Sequence, residues 1–267
     1  DFFTEIKRMF LEYRDILKLK PIKYIIGASL LYLIANTFFL SDRVYFFTYN
    51  QKLNGNEITF IMVLLTVVGI CFSPFIAGIC KKVDKKNVFM CGVFFSGICL
   101  ISAKFISIES FMGSCIISCL YCDSFRPACV LCICYALGNA CYWQLMPSMI
   151  YDVCEAEELF SGEKHSGQVI SLQALSESLS IAIGSQILGI ILEFAGFDQR
   201  LTKQSEVTLW WIDNSFSVIP GICMIIVAAI VYYYPINGKR FNDILDALSK
   251  RNNGGTVDLE EFNDIYR

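Results

Sequence analysis

Three polar side chains recur at helical spacing inside a long apolar stretch of the chain. Gln173, Glu177 and Ser180 follow one another at i, i+4 and i+7, which places them on one stripe of a helix. Glu177 lies deep in this stretch, where an ionisable group that faces lipid costs several kcal/mol. Glu177 is therefore protonated, hydrogen-bonded across helices, or part of a hydrated pathway, and the sequence leaves these three alternatives open.

A second polar cluster interrupts an earlier apolar stretch, at Asn139, Tyr142, Trp143 and Gln144. Aromatic rings can pack against the C–H faces of a sugar while amides bind its hydroxyl groups. The same residue types are also common where helices pack against each other. The cluster is therefore a candidate substrate-binding wall, with interhelical packing as the alternative.

The composition indicates that a lipid bilayer surrounds most of the chain. Of 267 residues, 55% are hydrophobic and 18% are charged, which is not typical of a soluble domain. The net charge of −3 argues against a nucleic-acid partner, because phosphate binding needs clustered Lys and Arg. We therefore expect an all-α membrane protein, since open sheets cannot satisfy their backbone groups in lipid.

Apolar stretches and charged breaks predict a bundle of six transmembrane helices within residues 24–236. The positive-inside rule sets their orientation, because 16 of the 22 Lys and Arg residues lie in the four segments that this topology places on the same side as both termini. This predicts a multi-pass protein of the cell membrane with cytoplasmic termini. The predicted spans lie near 24–49, 58–80, 88–106, 127–150, 167–195 and 215–234.

The segments outside the spans are predicted to lie on the cytoplasmic side. Residues 1–23 alternate apolar and basic positions at helical spacing and indicate an amphipathic linker helix on the membrane surface. Residues 237–267 form a polar C-terminal tail, whose last part, 254–267, suggests no chemistry. The chain starts at Asp1 without Met or a signal peptide, so we expect a piece of a longer protein.

The 13 cysteines do not indicate a metal site or a disulfide scaffold, because most of them lie in apolar stretches. Cys115, Cys119 and Cys122 fall in a predicted outer loop, and no role is assigned to them. His165 is the single histidine and lies in a predicted loop. We expect no enzyme activity, because neither a catalytic pair nor a metal set is predicted at membrane depth.

A specific resemblance begins where the fourth span ends, in the segment 149–167. The family pattern is Asp-x-x-Asp-Tyr-x-Glu, then Thr-Gly-x-Arg and Gly; the positions that match are Asp152, Glu157 or Glu158, Gly162 and Gly167. The departures are Glu155, Ala156, Ser161 and Lys164. The basic segment 78–86 and the residues that follow the last span agree with the same family. Together these segments resemble the glycoside-pentoside-hexuronide:cation symporters, the melibiose-permease-like family of the major facilitator superfamily.

The resemblance implies that the chain is the C-terminal six-helix half of a secondary transporter. Such a half works by alternating access with an N-terminal six-helix half as its partner, and takes up a sugar or glycoside together with Na+ or H+. The resemblance places a substrate-pocket Trp at Trp143 and a pocket Gln at Gln173, whereas a lysine of melibiose permease falls on Ser178. It implies no cofactor, and it places the coupling-cation site mainly in the N-terminal half.

The acidic segment after the fourth span is a candidate conformational gate on the cytoplasmic side. Acidic side chains here would face the basic segment 81–86 and residues 239–240, and ion pairs formed in one conformation would shift the equilibrium between conformations. The alternative is a solvated run of charges, since surface ion pairs contribute only ~0–1 kcal/mol each. The candidate gate residues are Asp84, Asp152, Glu155, Glu158, Gly162 and Lys164.

Two other functions stay open at this point. A lipid or lysolipid carrier of the same superfamily would need an apolar lateral opening in place of a polar pocket. A membrane scaffold with six spans and no transport activity would need no pocket at all.

Overall fold

A computed structural model describes residues 13–14, 16–107 and 125–266 and shows a helical bundle. Six helical stretches in these ranges are long and apolar enough to cross a membrane, which confirms the predicted six-helix class. The helices are α1 Lys20–Tyr45, α2 Gly55–Cys80, α3 Lys85–Ser107, α4 Phe125–Ser161, α5 Ser166–Phe194, α6 Glu206–Asp213, α7 Ile219–Tyr232, α8 Gly238–Asn252 and α9 Asn263–Tyr266.

The starts of several helices follow from local sequence. Pro21 occupies the first turn of α1, where its missing N–H is not needed. Asn54 and Glu57 form a capping box at α2, in which the Asn54 N–H donates to Glu57 at 2.7 Å. Ser205 caps α6 by accepting a hydrogen bond from the backbone N–H of Thr208.

Two π-helical turns face each other across the bundle. One continues α1 over Phe46–Asn50, and the other joins α6 to α7 over Asn214–Val218. The turns pack through the stacked rings of Phe46 and Phe216, whose centroids lie 4.1 Å apart. Because α6 and α7 form one continuous stretch, the sixth span begins at Glu206, earlier than the predicted residue 215.

The fourth span also differs from its predicted end at residue 150. Helix α4 continues to Ser161, so residues 151–161 are helical where a loop was predicted. The extension stays amphipathic because Val153, Ala156 and Leu159 are buried. Gly162 then ends it with a φ of +81°, a left-handed conformation that favours glycine.

Helices α1 and α4 form the centre of the bundle. Each has 56% of its apolar stretch buried, compared with 11% for α2 and 22% for α5. The central aromatic rings interlock across these helices, with Tyr32 stacked on Tyr142 and Phe39 stacked on Tyr135, each at 3.7 Å. This packing makes α1 and α4 the rigid wall against which a site can be built.

The C-terminal tail folds back onto the bundle. Helix α8 packs on α4 and buries Ile244 and Leu248. Arg251 donates a hydrogen bond to the backbone oxygen of Leu159 at 2.9 Å. Residues 1–12 of the predicted amphipathic helix and the cysteines at 115, 119 and 122 lie outside the described residues.

Small residues let α3 approach its two neighbours closely. Gly97 of α3 and Gly221 of α7 face each other, so that a Cβ built on Gly97 would lie 2.8 Å from the Gly221 carbonyl oxygen. Gly138 of α4 similarly faces Gly92 and Ser96 of α3. These contacts are the close approaches that small residues permit between membrane helices.

We predict that Gly97→Ala destabilises the bundle by about 1 to 3 kcal/mol, because the new methyl group meets backbone that cannot rotate away. Thermal denaturation of the purified protein in detergent measures the change. Gly27→Ala is the matched control, since nothing lies within 4 Å of its built Cβ. Equal melting temperatures for Gly97→Ala and Gly27→Ala would contradict the proposed close contact.

Candidate substrate cavity

A cavity of about 840 Å³ lies between α1, α2 and α4. Trp143, Asn139 and Gln144 contribute to it from α4, and Trp143 is 51% exposed. Aromatic and amide side chains thus share one wall, as the sequence analysis expected for a sugar site. The further residues that line it are Phe39, Leu40, Arg43, Leu65, Thr66, Gly69, Ile70, Ser73, Pro74, Tyr135 and Ala140.

Three hydrogen-bonded pairs join α1 to α4 behind this wall, and we call them the polar ladder. The two helices are antiparallel in the bundle, so positions that ascend along α1 meet positions that descend along α4. All three pairs lie at helical spacing and bury polar groups that would otherwise be unsatisfied in an apolar core. The pairs are Ser29 with Tyr142 at 2.7 Å, Tyr32 with Asn139 at 2.7 Å, and Asn36 with Tyr135 at 2.5 Å.

The ladder orients side chains that line the cavity. The Tyr32 hydroxyl donates to Asn139 Oδ1, which leaves the amide NH2 of Asn139 as a donor on the cavity side. Trp143 stands edge-on to Tyr142 with ring centroids 5.4 Å apart. Gln144 is held from α2, where the Ser73 hydroxyl donates to its Oε1 at 3.0 Å.

Gln173 and Glu177 lie apart from the cavity, on the α5 side of the ladder, and Tyr142 belongs to the ladder without lining the cavity. Gln173 Nε2 donates to Ser29 at 2.6 Å and to Glu177 Oε1 at 3.2 Å. Gln173 and Tyr142 are buried, and Glu177 is half-buried. The structure therefore brings Trp143 and Asn139 together and places the other three predicted substrate residues in a buried network between α1, α4 and α5.

Several cavity residues were not predicted from the sequence. Phe39 and Arg43 line the cavity from α1, and neither is among the candidate substrate residues of the sequence analysis. Tyr135 and Ser73 gave no signal of their own, because one Tyr or Ser in a span is ordinary. Helical spacing from Tyr135 through Asn139 to Trp143 is the pattern that could have found the α4 wall.

A second, smaller cavity of about 350 Å³ lies where α2 ends and α3 begins. Asp152 of α4 forms an ion pair there with Lys85 of α3, with N–O distances of 2.9 and 3.0 Å. Lys85 also lies over the ring of Phe241 in α8, 5.3 Å from its centroid. Asp84 lines the same cavity, so two predicted gate residues meet here.

Tyr234 and Lys86 complete this polar cavity beside the Asp152–Lys85 pair. Lys86 Nζ donates to the backbone oxygen of Tyr234 at 2.6 Å. Burial and the nearby Asp152 carboxylate raise the pKa of Tyr234 well above its usual range, so its phenol stays neutral. Lys85 is therefore the direct partner of Asp152, while Lys86 fixes the chain after α7.

The remaining acidic residues of the segment pair locally. Glu157 contacts His165 Nδ1 at 2.9 Å, and Glu158 contacts Lys164 at 3.5 Å. Glu155 makes no ion pair within the described ranges. Arg240, which was expected to face the acidic segment, pairs with Asp264 of the tail. Among the described residues, the ion pair that joins the acidic segment to the basic segment 81–86 is therefore Asp152–Lys85.

Gly162 joins the acidic segment to the C-terminal helix. Its Cα faces the guanidinium of Arg251, and a Cβ at this position would meet that group. The positive φ and the close approach of Arg251 both favour glycine here.

Six helices that are long and apolar enough to span a membrane, with a mostly apolar cavity between three of them, make this a polytopic membrane protein. The family model described as MFS/sugar transport protein matches residues 4–238. The chain belongs to this family, and it is a multi-pass membrane protein. The resemblance to the cation symporters of sugars is thereby confirmed at the level of the family.

Two curated relatives carry transporter names. A glucuronide carrier protein homolog of Escherichia coli K12 is 24% identical over 229 residues, which cover 85% of this chain and 46% of the relative. An uncharacterized symporter of Synechocystis sp. is 28% identical over 109 residues, 39% of this chain and 20% of that protein. The chain therefore spans less than half the length of the curated relatives it matches.

We predict that Tyr135→Phe destabilises the protein by about 1 to 3 kcal/mol, because the buried Asn36 carbonyl oxygen loses its donor. The ring and its stacking on Phe39 remain, so the change isolates the hydrogen bond. Thermal denaturation in detergent measures the effect, with Tyr151→Phe as the control because Tyr151 is 60% exposed. A Tyr135→Phe protein as stable as the control would contradict the ladder.

Proposed function

We propose that this chain forms the C-terminal half of a sugar or glycoside:cation symporter that works by alternating access. The cavity carries the proposal, because it combines the Trp143 ring with the amides of Asn139 and Gln144 in a chain of the sugar transport family. Sugar recognition needs this pairing of an apolar ring with hydrogen-bonding amides. The N-terminal half would close the cavity from the opposite side.

The charge of the cavity supports an acidic sugar as one substrate class. Among the lining residues, all in the described part of the chain, Arg43 is the one that carries a full charge at neutral pH. A guanidinium binds a carboxylate well, and the name of the E. coli relative points to glucuronides.

The Asp152–Lys85 pair supports a gate on the side of the bundle where α8 lies. It links α3 to α4, and its Asp side chain is only 12% exposed. A partly buried pair that exists in one conformation stabilises that conformation over the other. We place this side in the cytoplasm on the positive-inside rule, in a cell membrane whose lipid surrounds the apolar faces of the helices.

Uptake of labelled sugars by the full-length protein in proteoliposomes tests the transport function. Neutral glycosides and glucuronides are compared under imposed Na+ and pH gradients. We expect accumulation of at least one sugar under one of the gradients. Absence of uptake for both sugar classes under both gradients would contradict the proposal.

We predict that Trp143→Phe weakens sugar affinity about tenfold or more, because the smaller ring covers less of the sugar face while the protein still folds. Equilibrium binding to purified protein measures the affinity. The control is Trp210→Phe, since Trp210 lies outside the cavity lining and is 53% exposed. Equal losses in the two variants would favour a structural role for Trp143.

We predict that Lys85→Asp and Asp152→Lys each slow transport, because each places two like charges at the gate. The double variant restores an opposite-charge pair and should recover a large part of the rate. Uptake rate at saturating sugar is the measurement. Lys203→Ala is the control, since Lys203 is exposed and lies outside the candidate gate. A double variant as slow as the slower single variant would contradict the gate.

A further inference from the structure

A buried carboxylate lies on α1, one residue before the cavity-lining Arg43. Asp42 is 0% exposed, and it faces the π-helical turn between α6 and α7. The Ser215 hydroxyl contacts its Oδ2, whereas its Oδ1 has no hydrogen-bond partner among the described residues. This arrangement is unusual, because an ionised carboxylate needs donors for both oxygens when it leaves water.

Asp42 also lacks a basic counter-charge within the described ranges. Arg43 lines the cavity, and no ion pair joins it to Asp42. Lys104 of α3 donates to Asn214 at 2.6 Å and lies over the Trp210 ring. Across the interface lies a second acidic side chain, Asp213, whose negative charge disfavours a negative charge on Asp42. Asp213 is 8% exposed, and its Oδ1 has no hydrogen-bond partner among the described residues.

The contacts of Ser215 allow Asp42 to be either ionised or protonated. Ser215 Oγ lies 2.8 Å from the backbone oxygen of Trp211 and 3.1 Å from that of Ile212, in addition to its contact with Asp42. Carbonyl oxygens only accept, and a serine has one hydrogen to donate. Ser215 can donate to Asp42 when the carboxylate is ionised, or accept from Asp42 and donate to the Trp211 carbonyl oxygen when Asp42 carries a proton, so the site accommodates both forms.

We propose that Asp42 is a proton-binding site of this protein, poised between the substrate cavity and the facing π-helical turns. Proton uptake forms one O–H bond on the carboxylate, and release restores the charge, so no other reactant is needed. π-Helical turns inside helices are frequent at functional sites, and two of them pack together beside Asp42.

The ring of Phe39 connects this site to the cavity. It lies one turn before Asp42 on α1 and lines the cavity. It stacks on Tyr135 of the polar ladder and on Phe216, which follows Ser215. A change in the charge of Asp42 would move Ser215 and Phe216, and Phe39 would carry this movement to the cavity wall. The role in transport rests on the symporter function proposed above, and it makes the proton a coupling ion.

Transport by the Asp42→Asn variant tests the coupling. Asparagine keeps the shape of the side chain and its neutral charge but cannot release a proton. We expect sugar counterflow to remain and pH-driven accumulation above equilibrium to be lost in proteoliposomes. Glu193→Gln, which changes an exposed carboxylate at the end of α5, is the control and should behave as the parent. Accumulation driven by the pH gradient in Asp42→Asn would overturn the proposal, as would accumulation in the parent that follows Na+ alone.

Infrared difference spectroscopy tests the proton site without transport. Spectra of the purified protein at acidic and alkaline pH should show a carboxylic C=O band that shifts in D2O. Asp42→Asn should remove one component of this band, whereas Glu193→Gln should leave that component in place. A carboxylic band that is the same in Asp42→Asn as in the parent would overturn the proposal. If the parent takes up no sugar, the symporter function fails while this measurement still decides the proton site.

Discussion

The polar ladder between α1 and α4 is the constraint on which the rest of the structure depends. Hydrocarbon offers no partners to polar groups, so a buried hydroxyl or amide must find one within the protein, and the paired groups of the ladder find theirs on the facing helix. The pairs Tyr32–Asn139 and Asn36–Tyr135 fix both the register and the rotation of the two helices. In this geometry Trp143 and Asn139 line the cavity, and Gln173 of α5 contacts the ladder through its hydrogen bond to Ser29.

The ladder also divides the polar side chains of the bundle into two regions. The cavity side carries Trp143, Asn139 and Arg43, which suit recognition of a sugar. The other side carries Gln173, whose hydrogen bond to Ser29 ties α5 to α1, and Glu177, which accepts a hydrogen bond from Gln173 of the same helix. This bond lies within α5, so the three alternatives that the sequence leaves open for Glu177 stay open.

Much of the architecture could be predicted from the sequence, because apolar length and charged breaks reflect the bilayer directly. The six helices and the placement of Trp143 and Asn139 on one wall are examples. The ion-pair partner of each acidic residue was harder to predict. Asp152 pairs with Lys85 of α3, whereas Glu157 and Glu158 pair within their own segment. The glycine contact between Gly97 and Gly221 and the burial of Asp42 depend on which helices become neighbours, and a single sequence shows spacing within one helix only.

The central claim is that this half-bundle presents Trp143 to a sugar across a wall held by the polar ladder. Fluorine NMR of protein labelled with 5-fluorotryptophan tests it most directly, with the Trp143 resonance assigned by its absence in Trp143→Phe. The account predicts that a transported sugar shifts the Trp143 resonance in a saturable way and leaves that of Trp210 in place. A sugar that the protein transports without shifting the Trp143 resonance would contradict the account.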